Sequence, residues 1–385
     1  MDKKAAAEIR KLYKDAISVI ENYDKDSDEA RKAIAAVKVL AEQGYVEAQY
    51  TLGKYFSIGY CVELDKAEAA FWYEEAVKNG SMQAASALLD LYRFCCPEHI
   101  SSEQTETLAR QWHKKWFSML EEKANRGGAK EAEALMNLYI YDPPEELDEE
   151  QAHVLARKWY EAWIALLKAK ADKGSVRAKK KLAEVLYSGD GVPDELLAEF
   201  SDDEDDSALD ESVNLYEQLA AQGDAEAYFS LGCACDYFEA PEESLKKSFD
   251  YFMKAAQLGY AQAYVCLGSA YFHGKGIEKD WAKAREMYQM GADMGNPVAK
   301  RALADCFKCG TGGEKDFQKA IELYLDAAKT HDEYALYALG DMYLKGMGVT
   351  ADLQKAYDYF QKAARYGSRA AENALNSKKF RDFKR

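Results

Sequence analysis

Residues 263–295 read AYVCLGSAYFHGKGIEKDWAKAREMYQMGADMG, and this stretch indicates the fold. Ala263, Leu267 and Tyr271 are spaced four residues apart, so they lie on one face of an α-helix. A glycine-rich break follows, and beyond it a second apolar face of the same spacing is formed by Ala284, Tyr288 and Ala292. The stretch therefore predicts two helices joined by a turn.

Glycines and one aspartate set the boundaries of these helices. Gly274 and Gly276 supply the positive φ angles that end the first helix, and Asp280 is placed to cap the second through its side-chain oxygen. Gly268 lets the helix backbones approach each other because it has no side chain. Gly295 then turns the chain into the next repeat.

The same pattern recurs along the chain. Alanine returns every 36 residues, at Ala227, Ala263, Ala299, Ala335 and Ala371. The other matching positions are Leu231, Leu303 and Leu339, then Gly310 and Gly346, then Asp316 and Asp352. A fixed period of this length predicts a stacked solenoid of helix pairs, an architecture that presents an extended binding surface.

The repeat resembles the Sel-one-like repeats (SLR), short-loop relatives of the tetratricopeptide repeat (TPR). The resemblance is close in residues 48–83 and 227–370 and weaker elsewhere. In the first block it rests on Ala48, Leu52, Gly53, Tyr55, Gly59, Asp65, Ala69, Tyr73 and Gly80. The resemblance implies an all-α protein, a right-handed α/α superhelical solenoid of stacked helix-turn-helix repeats.

Residues 84–177 depart from the 36-residue period and form two extended repeats of 47 residues. The second extended repeat duplicates the first, and four of the six tryptophans occupy duplicated positions: Trp112, Trp116, Trp159 and Trp163. Their spacing of four residues predicts packing between helices, because tryptophan usually buries most of its surface. The alternative is an exposed aromatic ridge that anchors a partner.

The repeat that begins at residue 178 carries an acidic insertion. Ten carboxylates lie between Asp194 and Glu211, and their mutual repulsion predicts an exposed, mobile loop that could attract a basic partner. Asp202, Glu204 and Asp206 are spaced like calcium ligands. The expected glycine is replaced by serine and the final glutamate by valine, so the insertion does not predict a calcium site.

These features divide the chain into six parts, and we expect them to form one continuous solenoid. The parts are a degenerate N-terminal helical pair that caps the array (1–47), one SLR repeat (48–83), the two extended repeats (84–177), one repeat with the acidic insertion (178–226, insertion 194–211), four SLR repeats (227–370), and a C-terminal capping helix with a basic tail (371–385).

The formal net charge of −16 argues against nucleic-acid binding, because phosphate contacts need clustered lysine and arginine. It suits a basic partner better. No apolar run reaches the length of a membrane span, and the first residues lack a hydrophobic signal core. We therefore expect a cytoplasmic protein without membrane insertion, and we favour a monomer.

The eight cysteines occupy different positions of the repeat, so we expect reduced thiols rather than one disulfide per repeat. Cys306 and Cys309 form a lone C-x-x-C pair, which would need other ligands to hold zinc. We interpret them as small packing residues and give the CCPEH run at residues 95–99 the same interpretation. No metal site is predicted.

The sequence contains no convincing catalytic motif. The five histidines are scattered, and none lies in an H-E-x-x-H motif. Ser244 and Lys247 match the S-x-x-K of penicillin-recognising enzymes, but no S-D-N or K-T-G follows, and Ser244 lies where a helix cap is expected. We therefore predict a protein that is not an enzyme and uses no cofactor.

The SLR resemblance implies that the first helices of the repeats line a concave groove. The exposed positions there lie two, six, and eight or nine residues after the opening alanine. In the N-terminal part they are Tyr50, Lys54 and Phe56, then Ser86, Asp90 and Arg93. In the C-terminal part they are Phe229, Cys233, Asp236, Val265, Ser269, Phe272, Arg301, Asp305, Lys308, Tyr337, Asp341 and Leu344. Aromatic anchors among mixed charges suit a peptide or a helix of another protein.

The leading functional hypothesis is a cytoplasmic, bacterial scaffold or adaptor that binds a partner protein or peptide in this groove. One alternative is an immunity or inhibitor protein that neutralises a toxin or effector, for which the negative charge would suit a basic target. More remote alternatives are a penicillin-hydrolysing enzyme, which rests on Ser244 and Lys247 alone, and a secreted host-interaction factor, which needs an export signal.

Overall fold

The structure, a computed structural model, describes residues 3–23, 27–95, 100–200, 207–237, 239–377 and 379–380. Within these residues the secondary structure is helical and includes no strand, so the prediction of an all-α repeat solenoid is confirmed. The helices are α1 (Lys3–Asn22), α2 (Asp28–Glu42), α3 (Val46–Ile58), α4 (Lys66–Lys78), α5 (Met82–Phe94), α6 (Ser102–Asn125), α7 (Ala129–Tyr141), α8 (Glu149–Asp172), α9 (Val176–Ser188), α10 (Asp194–Phe200), α11 (Ser207–Ala220), α12 (Ala225–Cys235), α13 (Glu242–Gln257), α14 (Ala261–His273), α15 (Trp281–Asp293), α16 (Pro297–Cys309), α17 (Phe317–Ala327), α18 (Glu333–Lys345), α19 (Leu353–Arg365) and α20 (Arg369–Leu375).

The helices belong to two compact units. Unit 1 comprises Met1–Lys173 and Gly189–Glu204, and unit 2 comprises Gly174–Ser188 and Asp205–Arg385. Within each unit consecutive helices pack as hairpins, and we call the earlier helix of each hairpin the first helix and the later one the second helix. The hairpins are α1/α2, α3/α4, α5/α6 and α7/α8 in unit 1, and α9/α11, α12/α13, α14/α15, α16/α17 and α18/α19 in unit 2.

The core of each unit lies between its first and second helices. In unit 2 one continuous cluster of buried side chains joins α15 to α18 and includes Tyr288, Leu303, Tyr324 and Leu339. Each hairpin therefore shares its core with the next, which is how a repeat protein stays folded without a globular centre.

A glycine of the first helix and an aromatic ring of the second fit together in most regular hairpins. The ring of Tyr288 fills the space beside Gly268, where a Cβ atom would lie 2.4 Å from the ring. The same fit pairs Gly53 with Tyr73, Gly232 with Phe252, and Gly340 with Phe360. The glycine therefore admits a ring rather than a neighbouring backbone, which corrects the role predicted for Gly268.

The turn inside each regular repeat is built as predicted. Gly274 ends α14 in the left-handed conformation with φ 78°, and the side chain of Asp280 accepts a hydrogen bond from the backbone nitrogen of Lys283. Gly276 also has positive φ, and a Cβ atom there would lie 2.3 Å from the backbone oxygen of Leu245. The second turn glycine therefore lets the turn rest on the second helix of the preceding repeat.

The two extended repeats share one construction. Their second helices, α6 and α8, each have 24 residues and each begin with a capping box. The boxes are formed by Ser101 with Gln104 and by Asp148 with Gln151, so the duplicated sequence encodes the same helix start twice.

The four tryptophans of the extended repeats lie in the core of unit 1. Trp159 and Trp163 are buried, and Trp112 and Trp116 are partly buried against the cluster that joins α4, α5 and α6. They pack between helices, and the alternative of an exposed aromatic ridge is wrong.

Two predictions about helix boundaries are also wrong. Residues 194–200 form α10 rather than a loop, because Leu196 is buried and Leu197 packs against Gly189. Ser244 does not cap α13, because Pro241 starts that helix three residues earlier. The calcium-like run Asp202, Glu204 and Asp206 lies outside the described residues.

Candidate functional site

The predicted groove residues lie on the first helices or directly after them, and each keeps part of its surface accessible. In unit 1 they are carried by α3 and α5, and in unit 2 by α12, α14, α16 and α18. Neighbouring first helices touch, since α3 contacts α5 and α14 contacts α16. Residues predicted on separate repeats therefore share one layer within each unit.

The aromatic residues two positions after the opening alanine serve the hairpin itself. Each is half-buried against the second-helix ring that packs beside the first-helix glycine of the same hairpin. The pairs, with ring centroids 5.4–5.8 Å apart, are Tyr50 on Tyr73, Phe229 on Phe252 and Tyr337 on Phe360. Their removal would weaken packing as well as any partner contact.

A cavity of about 670 Å³ lies beside Tyr50 in unit 1. It is lined by α1, the start of α3, the turn before α5 and the end of α6, with Tyr13, Glu47 and Lys123 among the polar side chains. The Tyr13 hydroxyl lies 2.7 Å from Thr51 Oγ1, which fixes the ring at the cavity wall. We call this space the Tyr50 cavity; its volume falls in the range of ligand-binding clefts.

Three predicted groove residues come together on α16 of unit 2. Asp305 Oδ1 accepts a hydrogen bond from the Tyr324 hydroxyl at 2.5 Å and lies 3.2 Å from Lys308 Nζ. The guanidinium of Arg301 lies 4.9 Å from the ring centre of Tyr334. Burial and the Asp305 carboxylate raise the pKa of Tyr324, so its hydroxyl remains a donor at neutral pH.

Asp236 and Ser269 meet at a small cavity of about 80 Å³ that is lined chiefly by α13 and α14. Asp236 accepts a hydrogen bond from Lys275 Nζ at 2.8 Å. Burial raises the pKa of Cys266, also at this cavity, to about 12, and that of Cys233 to about 11. These thiols stay protonated and unreactive near neutral pH.

The remaining predicted residues lie on more open surface. Phe272 has its ring centroid 6.4 Å from that of Trp281, and Asp341 lies 2.7 Å from Lys345 Nζ. Lys54 is exposed and Phe56 is partly buried against the core of α3 and its neighbours.

The family model for the Sel1 repeat matches five segments of the chain: residues 46–81, 225–260, 260–296, 297–329 and 333–368. The chain contains Sel1 repeats. The family resemblance predicted from the sequence is confirmed, and Sel1 repeats generally mediate protein–protein interaction. No curated protein matches the chain.

Several solved structures are similar to this Sel1-repeat protein. A protective antigen of uropathogenic Escherichia coli with an SLR fold is 24% identical, over 97% of this chain and 80% of that chain, with a TM-score of 0.47. A Sel1 repeat protein of Oxalobacter formigenes is 21% identical, over 95% and 85%, with a TM-score of 0.43. An immunity protein of Pseudomonas aeruginosa is 16% identical, over 61% and 81%, with a TM-score of 0.36.

The structure describes parts of the motifs considered for metal binding and catalysis. Cys306 is buried, which raises its pKa to about 11, whereas Cys309 is exposed. The Ser244 hydroxyl donates to the backbone oxygen of Cys235 at 2.9 Å, and Lys247 Nζ lies 3.4 Å from Glu243.

One of these motifs lies mostly outside the described residues. Residues 96–99 of the CCPEH run are not among the described residues. In the described part of the chain, no group of three or more His, Cys, Asp or Glu side chains is arranged to hold a metal, and no helix is long and apolar enough to cross a membrane.

One site in the Sel1-repeat protein was missed by sequence reasoning. A cleft of about 420 Å³ at the end of α5 is lined by Arg93, Phe94, Glu106, Arg110, His113 and Glu145, among others, and we call it the Phe94 cleft. The sequence did hold one indication of this cleft. The first helices of the two extended repeats end with large aromatic residues, Phe94 and Tyr141, and both are exposed in the structure. Nothing in the sequence indicated that a buried histidine lines this cleft.

Proposed function

We propose that this Sel1-repeat protein is a non-catalytic scaffold that binds a partner protein or peptide along its first helices. The observation that supports this most is the Tyr50 cavity, where a predicted groove residue lies at the wall of a cavity of about 670 Å³. Glu47 and Lys123 bring both charges to its lining, and Tyr13 adds an aromatic wall. Such a combination suits the side chains of a peptide.

The packing of the first helices supports an extended ligand. In unit 2, α14 and α16 contact each other directly, and no two consecutive second helices in the described part of the chain pack as closely. The charged residues on this layer form accessible ion pairs, such as Asp341 with Lys345 at 2.7 Å. Accessible pairs of this kind contribute little to stability, so they are free to exchange partners.

The structure guides the choice of variants that test this proposal. Tyr337→Ala is a poor choice, because its ring packs on Phe360. Lys54→Glu with Asp341→Lys changes only accessible side chains on the first helices. Lys78→Glu with Asp358→Lys makes the same charge changes on exposed residues of the second helices α4 and α19 and is the matched control.

The experiment is capture of partners by tagged protein from a lysate of the source cells, after chemical crosslinking. We expect one or more proteins to be captured by the native chain and by the control, and to be lost from the first-helix variant. Equal capture by all three proteins would contradict binding along the first helices. Circular dichroism spectra of the three proteins show whether folding is preserved.

We also propose that the protein works in the cytoplasm. Cys95 and Cys309 are exposed free thiols, and such thiols persist in a reducing compartment. Cell fractionation tests this location, and recovery of the protein in the culture medium or the periplasm would contradict it. The immunity-protein alternative stays a prediction, which rescue of growth against the product of a neighbouring gene would test.

A further inference from the structure

A titratable ring lies buried beside the predicted groove of unit 1. His113, on α6, is only 4% exposed, and its ring packs edge-to-face on Phe117 with the centroids 4.9 Å apart. The side chain lines both the Phe94 cleft and an adjoining cavity of about 230 Å³. Cavities of this size admit water. A proton can therefore reach the ring, and neighbouring side chains have room to move.

His113 and Arg93 face the same oxygen atom. Asp142 Oδ2 accepts a hydrogen bond from Arg93 Nη1 at 2.7 Å, and it lies 3.3 Å from His113 Nε2. The contact with His113 lacks the geometry of a hydrogen bond, so this buried nitrogen has no hydrogen-bond partner in the described part of the chain. Buried polar atoms normally have one. The carboxylate therefore pairs with the permanent cation and leaves the ring unsatisfied.

The ion pair between Arg93 and Asp142 is easily exchanged. The two side chains are 32% and 37% exposed, and pairs with such access to solvent contribute little to stability. Both residues lie at helix ends, Arg93 in the last turn of α5 and Asp142 at the C-cap of α7. Burial raises the pKa of Asp90, one turn earlier on α5, and Arg93 acts in the opposite direction. Asp90 is thus a second acid within reach of the guanidinium.

Charged and titratable groups surround His113 on four elements. They are Asp90 and Arg93 of α5, Glu106, Arg110 and Lys114 of α6, Tyr139 of α7, and Asp142, Glu145 and Glu146 of the segment after α7. Arg110 is held between Glu106 and Glu145, at 2.7 and 2.8 Å. Tyr139 stays protonated, because burial raises its pKa. Asp142 is therefore the acid placed to respond to the ring.

The charge of His113 changes in mild acid. Burial lowers the pKa of His113, Asp142 raises it, and Arg93 lowers it again. The ring is therefore neutral at pH 7, and it takes up a proton below the ordinary histidine value of about 6.5. A buried cation then requires an anion, because an unpaired charge away from water is costly. Asp142 Oδ2, at 3.3 Å, is in position to supply it.

We propose that His113, Asp142 and Arg93 form an acid-sensitive switch in unit 1. Protonation of His113 draws the Asp142 carboxylate to the ring as an ion pair, and Arg93 is released toward Asp90 and the solvent. A guanidinium that is neutralised at pH 7 then becomes free to bind an acidic group of a partner. This last consequence rests on the proposed scaffold function, whereas the exchange is a property of the folded chain alone.

Side-chain NMR of the protein alone tests the exchange. The protein carries ¹⁵N-histidine and ¹⁵N-arginine, with His113 assigned by its loss in His113→Gln and Arg93 by its loss in Arg93→Lys. As the pH falls from 7.5 to 5, both resonances should shift with one common midpoint, below about 6.5. An unchanged Arg93 resonance would overturn the proposal, as would a midpoint for Arg93 that differs from that of His113.

Two variants separate the effect of His113 from that of the nearby acids. In His113→Gln the Arg93 resonance should lose most of its pH-dependent shift, because the ring that attracts Asp142 is absent. His153→Gln, the same change at a half-buried position of α8, should leave the Arg93 response as in the native chain. An equal Arg93 response in His113→Gln and the native chain would assign the shift to the carboxylates and overturn the proposal.

Asp142→Asn covers the case in which His113→Gln fails to fold. Arg93 then lacks its ionic partner at every pH, so its resonance at pH 7.5 should already lie near the position that the native chain reaches at pH 5. A resonance at the neutral native position would overturn the proposal. These measurements use no partner, so failure of the switch and failure of partner capture along the first helices are distinguishable.

Discussion

The Tyr324 hydroxyl donates a hydrogen bond of 2.5 Å to Asp305, and this contact ties the second helix of a hairpin to the surface of its first helix. Tyr324 is buried, whereas Asp305 is partly exposed and also lies 3.2 Å from Lys308 Nζ. Asp305, a predicted groove residue, is thus oriented by a hydrogen bond from a buried side chain. Support of this kind holds the carboxylate in one geometry.

Tyr324→Phe should therefore destabilise unit 2 by about 1 kcal/mol, because a hydrogen bond to a charged group is lost while Asp305 stays hydrated. The pKa of Tyr324 is raised in the folded state, so the stability it contributes is present below pH 10 and is lost as the pH rises above the value in the unfolded chain. Denaturant titrations at pH 7 and pH 10.5 should show a larger alkaline loss for the native chain than for the variant. An equal loss in both proteins would contradict this assignment.

Two glycines of positive φ should respond differently to alanine. At Gly295, with φ 87°, a Cβ atom would meet nothing within 4 Å, so Gly295→Ala should cost only the left-handed backbone penalty of about 1 kcal/mol. At Gly312, with φ 71°, a Cβ atom would lie 2.1 Å from the backbone oxygen of Trp281. Gly312→Ala should cost about 2 kcal/mol more. Chemical denaturation of the two variants compares them directly, and similar costs would show that the turn does not rest tightly on α15.

Two tryptophans should differ in stability and in fluorescence. Trp163 is buried, so Trp163→Ala should destabilise unit 1 by about 3 to 5 kcal/mol. Trp281 is 50% exposed and contacts Phe272 and Lys279, so Trp281→Ala should destabilise unit 2 by only about 1 kcal/mol. Acrylamide should quench the emission of Trp281 and leave that of Trp163 largely unaffected. Strong quenching that survives Trp281→Phe would show that the tryptophans of the extended repeats are accessible.

Alkylation should separate the cysteines into two classes. Burial raises the pKa of Cys266 to about 12 and those of Cys233 and Cys306 to about 11, so few of these thiols are ionised at pH 8. Cys95 and Cys309 are exposed. Iodoacetamide at pH 8 should modify Cys95 and Cys309 first, and Cys233, Cys266 and Cys306 much more slowly until the protein unfolds, as followed by peptide mass spectrometry. Modification of Cys266 in folded protein at the rate of Cys309 would contradict the observed packing.

Features encoded within a few residues could be predicted from the sequence. Gly274 and Asp280 end and begin helices as expected, because both effects depend on local backbone conformation. Prediction from local sequence failed where another residue or a tertiary contact changed the helix boundary. Pro241 starts α13 early and leaves Ser244 inside the helix. Leu196 is buried, although it lies in the acidic insertion, whose charge predicted a loop.

The Phe94 cleft could not be predicted for a different reason. It depends on His113 of α6 reaching Asp142 at the end of α7, residues 29 positions apart that no periodicity relates. The duplication reveals which residues occupy equivalent positions in the two extended repeats. It does not show which side chains of successive repeats meet, because that depends on how the hairpins stack.

The side-chain caps of unit 2 have a consequence for how the protein folds. Each helix from α15 to α19 begins with its own cap, provided in turn by Asp280, Asn296, Asp316, Asp332 and Asp352. These helices pack chiefly on their immediate neighbours along the chain. Native contacts in this region therefore form without closing long loops, so folding can start at any of these hairpins and spread to both sides. Unfolding of this region should then proceed in steps rather than in a single transition.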